Sequence, residues 1–178
     1  MKFSVNQKDL QEALSYCQGV IEKRSTLPIL SNVLLDANNT KLTITATDLD
    51  LIFINEIKNV EIVEEGKTTT TSSTIYDIIR KFSPGKKINF ELTSENKIHL
   101  ESEKSIFNLN CLPATEFPLT DENFSENEFI IKSNKLLKLL NKCKFSVSND
   151  ETRHYLSGIY FHQTNIEDKY FLTAVATD

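Results

Sequence analysis

The sequence predicts an α+β fold of repeated βαβββ units, with helices on one face of antiparallel sheets and the second repeat truncated. Three observations carry this reading. Short runs of β-branched and aromatic residues alternate with polar ones. Separate stretches carry apolar residues at helical spacing. The whole pattern then begins again, in register, 126 residues along the chain.

The elements follow in order. Phe3 and Val5 alternate with polar neighbours as a strand would, and Asn6 can cap the helix that follows, where Leu10, Ala13, Leu14 and Cys17 fall on one side. Ile21 to Pro28 reads as a loop. Strands are predicted at Leu30–Leu35, Lys41–Thr47 and Leu51–Ile57, with an Asn-rich hairpin connection at Asp36–Thr40. Thr68–Ser73 reads as a β-branched strand ending in a Ser/Thr helix cap. A second helix is expected over about Thr74–Phe82, stopped by Ser83-Pro84-Gly85. Three more strands are predicted near Ile88–Leu92, Ile98–Glu101 and Ile106–Cys111.

The stretch Leu112–Glu128 reads as a linker: it holds two prolines, and four acids in its last eight residues. Beyond it, an offset of 126 pairs Phe3 with Phe129, Val5 with Ile131, Leu10 with Leu136, Leu14 with Leu140 and Cys17 with Cys143. Leu30-Ser31 pairs with Leu156-Ser157 and Leu35 with Phe161. After a turn expected to be four residues longer, TITATD (43–48) pairs with TAVATD (173–178). The predicted organisation is a first domain at 1–122, a linker at 123–128 and the opening part of a second domain at 129–178. The counterpart of Leu49–Leu112 lies outside the 178 residues, so a longer repeat protein is expected.

Composition places the chain in the globular class, with 39% hydrophobic and 25% charged residues. No apolar run approaches the roughly 18 residues of a membrane span, and the N-terminus lacks the apolar core of a secretory signal. A cytoplasmic location is expected, with no membrane partner. The three cysteines, Cys17, Cys111 and Cys143, are too scattered for a disulfide framework or a zinc site. No phosphate-binding, metalloprotease or nucleophile-elbow motif occurs, and neither catalytic residues, metal nor cofactor is expected. His99, His154 and His162 lack metal-ligand spacing, and Asp48 and Asp50 read as turn residues, not a metal pair.

Charge is distributed unevenly. The net charge is −5, yet Phe129–Asn149 holds five lysines and no acid, and Arg80, Lys81, Lys86 and Lys87 form a second island. On the helix at Lys135–Cys143, Lys135, Lys138 and Lys142 share a face opposite Leu136, Leu139 and Leu140. A face of one charge sign suggests a polyanion opposite. The residues alone leave open a nucleic-acid tether, an enzyme of nucleic-acid metabolism and a protein-interaction repeat with solubilising lysines.

A family resemblance narrows this choice. Met1-Lys2-Phe3, Arg24, Thr26–Leu30, Thr47-Asp48-Leu49, Leu112-Pro113-Ala114 and Phe117-Pro118 resemble the N-terminal domain of the bacterial DNA polymerase III beta subunits, the sliding clamps. Arg153–Gly158 and Val175–Asp178 resemble their middle domain. The resemblance implies a non-catalytic processivity factor of DNA replication: a head-to-tail homodimeric ring around duplex DNA that tethers the polymerase without reading sequence. It implies DNA contacts at Arg24, Ser73, Asp150, His154 and Tyr155, and the charge pattern adds Arg80 and the helix lysines Lys135, Lys138 and Lys142. Ser73 stands where some members carry arginine, and Asp150 where a neutral polar residue is usual. The resemblance also implies a dimer contact at Phe107 and Leu109. Leu156, Thr177 and Asp178 would begin a groove for peptides of the polymerase catalytic subunit and the clamp loader.

Overall fold

Residues 1–21, 27–118 and 129–178 are described by a computed structural model, which divides into a unit at Met1–Asp121 and a unit at Glu122–Asp178. In the first unit, strand β1 (Lys2–Asn6) leads directly into helix α1 (Gln7–Cys17), and the Asn6 side chain accepts from the Lys8 N–H at 2.9 Å. Leu10, Ala13, Leu14 and Cys17 point inward and are at most 2% exposed. A 3₁₀ turn at Pro28–Ser31 precedes β2 (Asn32–Asn38), so the expected strand start at Leu30 moves by two residues. Pro28 opens that turn because its fixed φ suits the first helical position. β3 (Lys41–Thr47) and β4 (Ile52–Ile57) follow.

An unexpected strand, β5 (Val60–Glu64), pairs with β1 and ends the sheet. Its glutamates disguise a regular alternation, since Val60 and Ile62 are half-buried while Glu61 is exposed. Charge on an edge strand discourages pairing with another chain. β6 (Gly66–Thr71) begins where the chain passes close to its own start: a Cβ on Gly66 would lie 2.8 Å from that of Met1. Helix α2 (Ser72–Ile79) begins two residues earlier than predicted and has no side-chain cap; Thr71 Oγ1 instead donates to Asn32 at 3.2 Å. β7 (Lys87–Leu92), β8 (Lys97–Ser102) and β9 (Ser105–Leu112) complete the unit.

All pairings are antiparallel, in the order β4-β3-β2-β6-β9-β8-β7-β1-β5. One apolar core joins the inward faces of the strands to the two helices, with Phe3 stacked on Phe90 at 4.6 Å. Each fully buried Leu, Ile or Phe stabilises by roughly 1.5–3 kcal/mol. Gln7 Nε2 donates to Ile79 O at 2.9 Å and Gln18 Nε2 to Ser72 Oγ at 2.7 Å, which locks α1 to both ends of α2. The stretch expected to be linker is partly anchored: Phe117 is 5% exposed.

In the second unit, helix α3 (Ser133–Cys143) stands 126 residues after α1, end for end. β10 (Tyr160–Ile166) and β11 (Lys169–Val175) form a hairpin. The register repeats as well: Leu35 faces Ile44 in the first unit and Phe161 faces Ala174 in the second. The four extra residues do not lengthen the turn, which has two residues in both hairpins. They add two residues to each arm between the Leu35 or Phe161 pair and the turn, giving seven cross-strand pairs against five. Glu167 and Asp168 both adopt positive φ, as a two-residue hairpin turn requires.

The strand expected at Phe129 and Ile131 does not form; residues 129–132 have no regular structure. In the first unit β1 is held between β5 and β7. No strand among the described residues of the second unit offers the equivalent pairing, and an extended segment without a ladder leaves its amides to water.

Candidate nucleic-acid interface

Leu136, Leu139, Leu140 and Cys143 of α3 are half-buried, and Cys143 Sγ donates to Ala174 O on β11 at 3.4 Å. Lys135, Lys138 and Lys142 are exposed on another face. Lys132 and Lys144 occupy the two caps, and the first turn carries no acid. None of these five lysines forms an ion pair among the described residues. In the first unit seven of the basic residues behave differently. Lys2 pairs with Glu91, Lys41 with Glu56, Lys67 with Asp36, Lys86 with Glu103, Lys87 with Glu61, and Lys97 with Glu95. The island at Arg80–Lys87 is thus largely neutralised on folding, with Lys81 alone of its four basic residues lacking an ion pair among the described residues. Folding brings an acid to Arg80 (Asp77 at 3.2 Å), Lys86 and Lys87, and the carboxyls of Glu61 and Glu103 are lowered, chiefly by hydrogen bonds from Lys87 and Lys86.

Beyond α3, two 3₁₀ turns, Lys144–Ser146 and Glu151–Leu156, are tied by Ser148 N–H donating to Leu156 O at 3.1 Å. Asp150 organises the second turn. Its carboxylate accepts from Thr152 Oγ1 at 2.6 Å, Thr152 N–H at 2.9 Å and Arg153 Nε at 2.9 Å. The Thr152 hydroxyl, the Thr152 amide and Arg153, in that order, hold this carboxyl below its ordinary value. Asp150 therefore acts on Arg153 and its own turn. His154 and Tyr155 are exposed, their rings edge to face at 6.0 Å.

Of the expected contacts, Lys135, Lys138 and Lys142 lie on α3, and Asp150, His154 and Tyr155 at the turn that follows, all in the second unit. Ser73, exposed in the first turn of α2, and Arg80, its C-cap, belong to the first unit. Arg24 lies outside the described residues. Phe107 and Leu109 share one face of β9. Leu109 is 8% exposed within the core, however, while Phe107 is 38% exposed against Phe82. Of the two, Phe107 has surface to offer a partner.

Leu156 is half-buried, and Thr177 and Asp178 are exposed. Their first-unit counterparts show what this corner does. Leu30 and Thr47 are 3% and 2% exposed. Asp48 Oδ1 accepts from the amides of Asp50 and Leu51 at 3.0 and 2.7 Å, so Asp48 is a turn residue. His99 Nδ1 lies 2.9 Å from Asn108 Oδ1 across the sheet. Cys17, Cys111 and Cys143 are free thiols, and burial raises Cys17 to about 12. Among the described residues no group of His, Cys, Asp and Glu could hold a metal ion. Sequence reasoning missed Phe145, which is 83% exposed directly after the lysine helix. The signal was its position: it lies off the 3.6-residue spacing of the apolar face formed by Leu136, Leu140 and Cys143.

A helix–hairpin unit used twice, with antiparallel sheets and helices on one face, defines a class of duplicated clamp-type folds. The chain belongs to the DNA polymerase III beta subunit family: residues 1–121 match that family's N-terminal domain. A beta sliding clamp of Caulobacter vibrioides is 36% identical over 179 residues, covering all of this chain and 48% of the relative. That of Escherichia coli K12 is 34% identical over 178 residues, covering 100% and 47%. Among solved structures, a Caulobacter crescentus beta sliding clamp superposes with a TM-score of 0.95 at 36% identity, covering 100% of this chain and 47% of that one. A Bartonella birtlesii clamp solved bound to griselimycin gives a TM-score of 0.94 at 37% identity, with 100% and 47% covered. The chain spans about half the length of these relatives.

Proposed function

We propose that this chain forms part of a sliding clamp, a processivity factor that encircles duplex DNA and tethers a replicative polymerase without itself catalysing a reaction. The observation that carries the reading is the α3 face, where Lys135, Lys138 and Lys142 stand together without an acidic partner among the described residues, whereas six lysines of the first unit are each paired with an acid. Such a face binds phosphate through charge, and phosphate contacts carry no sequence information. The family relationship supports the remaining parts: a homodimeric ring with Phe107 at the contact, a cytoplasmic site of action, and a groove beginning at Leu156, Thr177 and Asp178 for the polymerase catalytic subunit and the clamp loader.

Two duplexes of unrelated sequence test the central claim. Their affinities at low salt should agree within about two-fold and fall steeply together as salt rises. A preference of about ten-fold for one sequence, or binding indifferent to salt, would overturn the reading.

A further inference from the structure

The turn after α3 carries chemistry that phosphate binding does not use. Phe145 is 83% exposed and Tyr155 is 72% exposed. His154 meets the Tyr155 ring edge-on, with centroids 6.0 Å apart. Lys144 precedes Phe145, and Arg153 is held in place by Asp150 at 2.9 Å. The bond from Ser148 N–H to Leu156 O folds the segment back on itself. By chain length, the Cα atoms of Phe145 and Tyr155 then lie no more than about 20 Å apart.

The first unit shows what these residues replace. At the offset of 126, Phe145 corresponds to Gly19, Arg153 to Leu27, His154 to Pro28 and Tyr155 to Ile29. A Cβ added at Gly19 would meet only Tyr16 O, at 3.6 Å. The position points away from the body even in the unit whose core is closed, so the exposure of Phe145 is a property of the site. Exposed aromatic rings beside Lys and Arg form the platform on which unpaired bases stack, whereas bases inside a duplex keep their faces covered.

Resting on the clamp reading, we infer that Phe145 and Tyr155 stack on unpaired bases of a single strand that continues from the duplex, with Lys144 on its phosphates. The partner is single-stranded DNA adjoining a duplex, a class distinct from the paired DNA that the α3 lysines serve. A stacked base contributes about 5- to 100-fold in affinity.

The test uses the 178-residue chain at low salt with a duplex carrying a single-stranded tail of about ten thymidines, compared with the same duplex made blunt. The tailed duplex should bind about ten-fold tighter or more. Phe145→Ala and Phe145→Leu should each weaken tailed binding by about 5- to 50-fold and leave blunt binding within about two-fold, while Phe145→Tyr keeps the tail preference. Tyr155→Ala should also weaken tailed binding. Phe145→Leu preserves apolar bulk, so loss of the ring is separated from loss of the fold. Equal binding of tailed and blunt DNA by the unaltered chain, or equal loss on both with Phe145→Leu, would overturn the inference alone. Absence of salt-dependent binding to the blunt duplex would overturn the clamp reading beneath it.

Discussion

Helices α1 and α3 have the same length, sit 126 residues apart and lead into hairpins of the same register, yet their surroundings differ in two ways. Inward, Leu10 and Leu14 are completely buried, while Leu136 and Leu140 at the same positions are only half-buried. Outward, Asp9, Glu12 and Tyr16 of α1 are replaced by Lys135, Lys138 and Lys142. Along the other flank, Asp9, Glu12 and Tyr16 border Asn55–Asn59, around β4, in a groove of about 250 Å³. The lysines of α3 border a groove of about 450 Å³ with Tyr170, Phe171 and Leu172. An apolar stripe is thus enough to specify a helix and its register, but closure of a core depends on the strands that later arrive against it. The outward face is free to take either charge.

The largest expected effect breaks the inward half of that comparison. Leu10→Ala should cost about 3–5 kcal/mol in urea unfolding, because a fully packed site relaxes little around a cavity. Leu136→Ala at the equivalent position should cost less than about half as much, since water already reaches it. Amide exchange should follow the same division, with α1, β2 and β3 protected and α3, β10 and β11 exchanging faster. Similar costs and uniform protection would mean that the second unit closes its core by contacts other than those described.

The outward half is broken by charge. Replacing Lys135, Lys138 and Lys142 by Ala should flatten the slope of log affinity against log salt by up to about three units, at roughly 0.9 per phosphate neutralised. Changing Asp9 and Glu12 to Lys would give α1 the face of α3 and should steepen that slope by up to about two units. An unchanged slope in the first variant would remove α3 from the DNA surface; an unchanged slope in the second would remove only α1.

The legibility of the sequence follows the same physical division. Lys41–Thr47 was readable to the residue, because its alternation is strict and an Asn-rich turn precedes it. β5 was hidden because an edge strand tolerates glutamates that look like loop composition. The Phe129 strand was overread: alternation supplies a face but not the neighbouring strands that satisfy its backbone. For the site, helical spacing was sufficient to place three lysines on one face. Spacing could show Asp77 beside Arg80, three residues on at the C-cap of α2, but not that Glu103 and Glu61 would meet Lys86 and Lys87, because those pairs join residues far apart in the chain. Phe145 was passed over because a single aromatic residue has no period.

The smallest effect sharpens a second charge reversal between the repeats, since Asp150 occupies the position of Arg24 at the same offset. The Asp150 carboxyl is held below its ordinary value, 3.8, and the Thr152 hydroxyl contributes more than the Thr152 amide or Arg153. A carboxyl lowered by folding favours the native turn above its unfolded value, and that contribution is lost as pH falls through its folded value. The turn at 151–156 should therefore keep its geometry from neutrality to about pH 4 and loosen only below that. The Thr152 amide resonance reports it, because that N–H donates to Asp150 Oδ1. Thr152→Val should move the step toward ordinary carboxylate pH further than Arg153→Ala does, reflecting the order of the causes. Asp150→Asn keeps an acceptor for the amide but removes the titrating charge, so its turn should persist with no step at all. A larger shift from Arg153→Ala would mean that the ion pair, not the hydroxyl, governs the turn, and that this loop holds its arginine by charge alone.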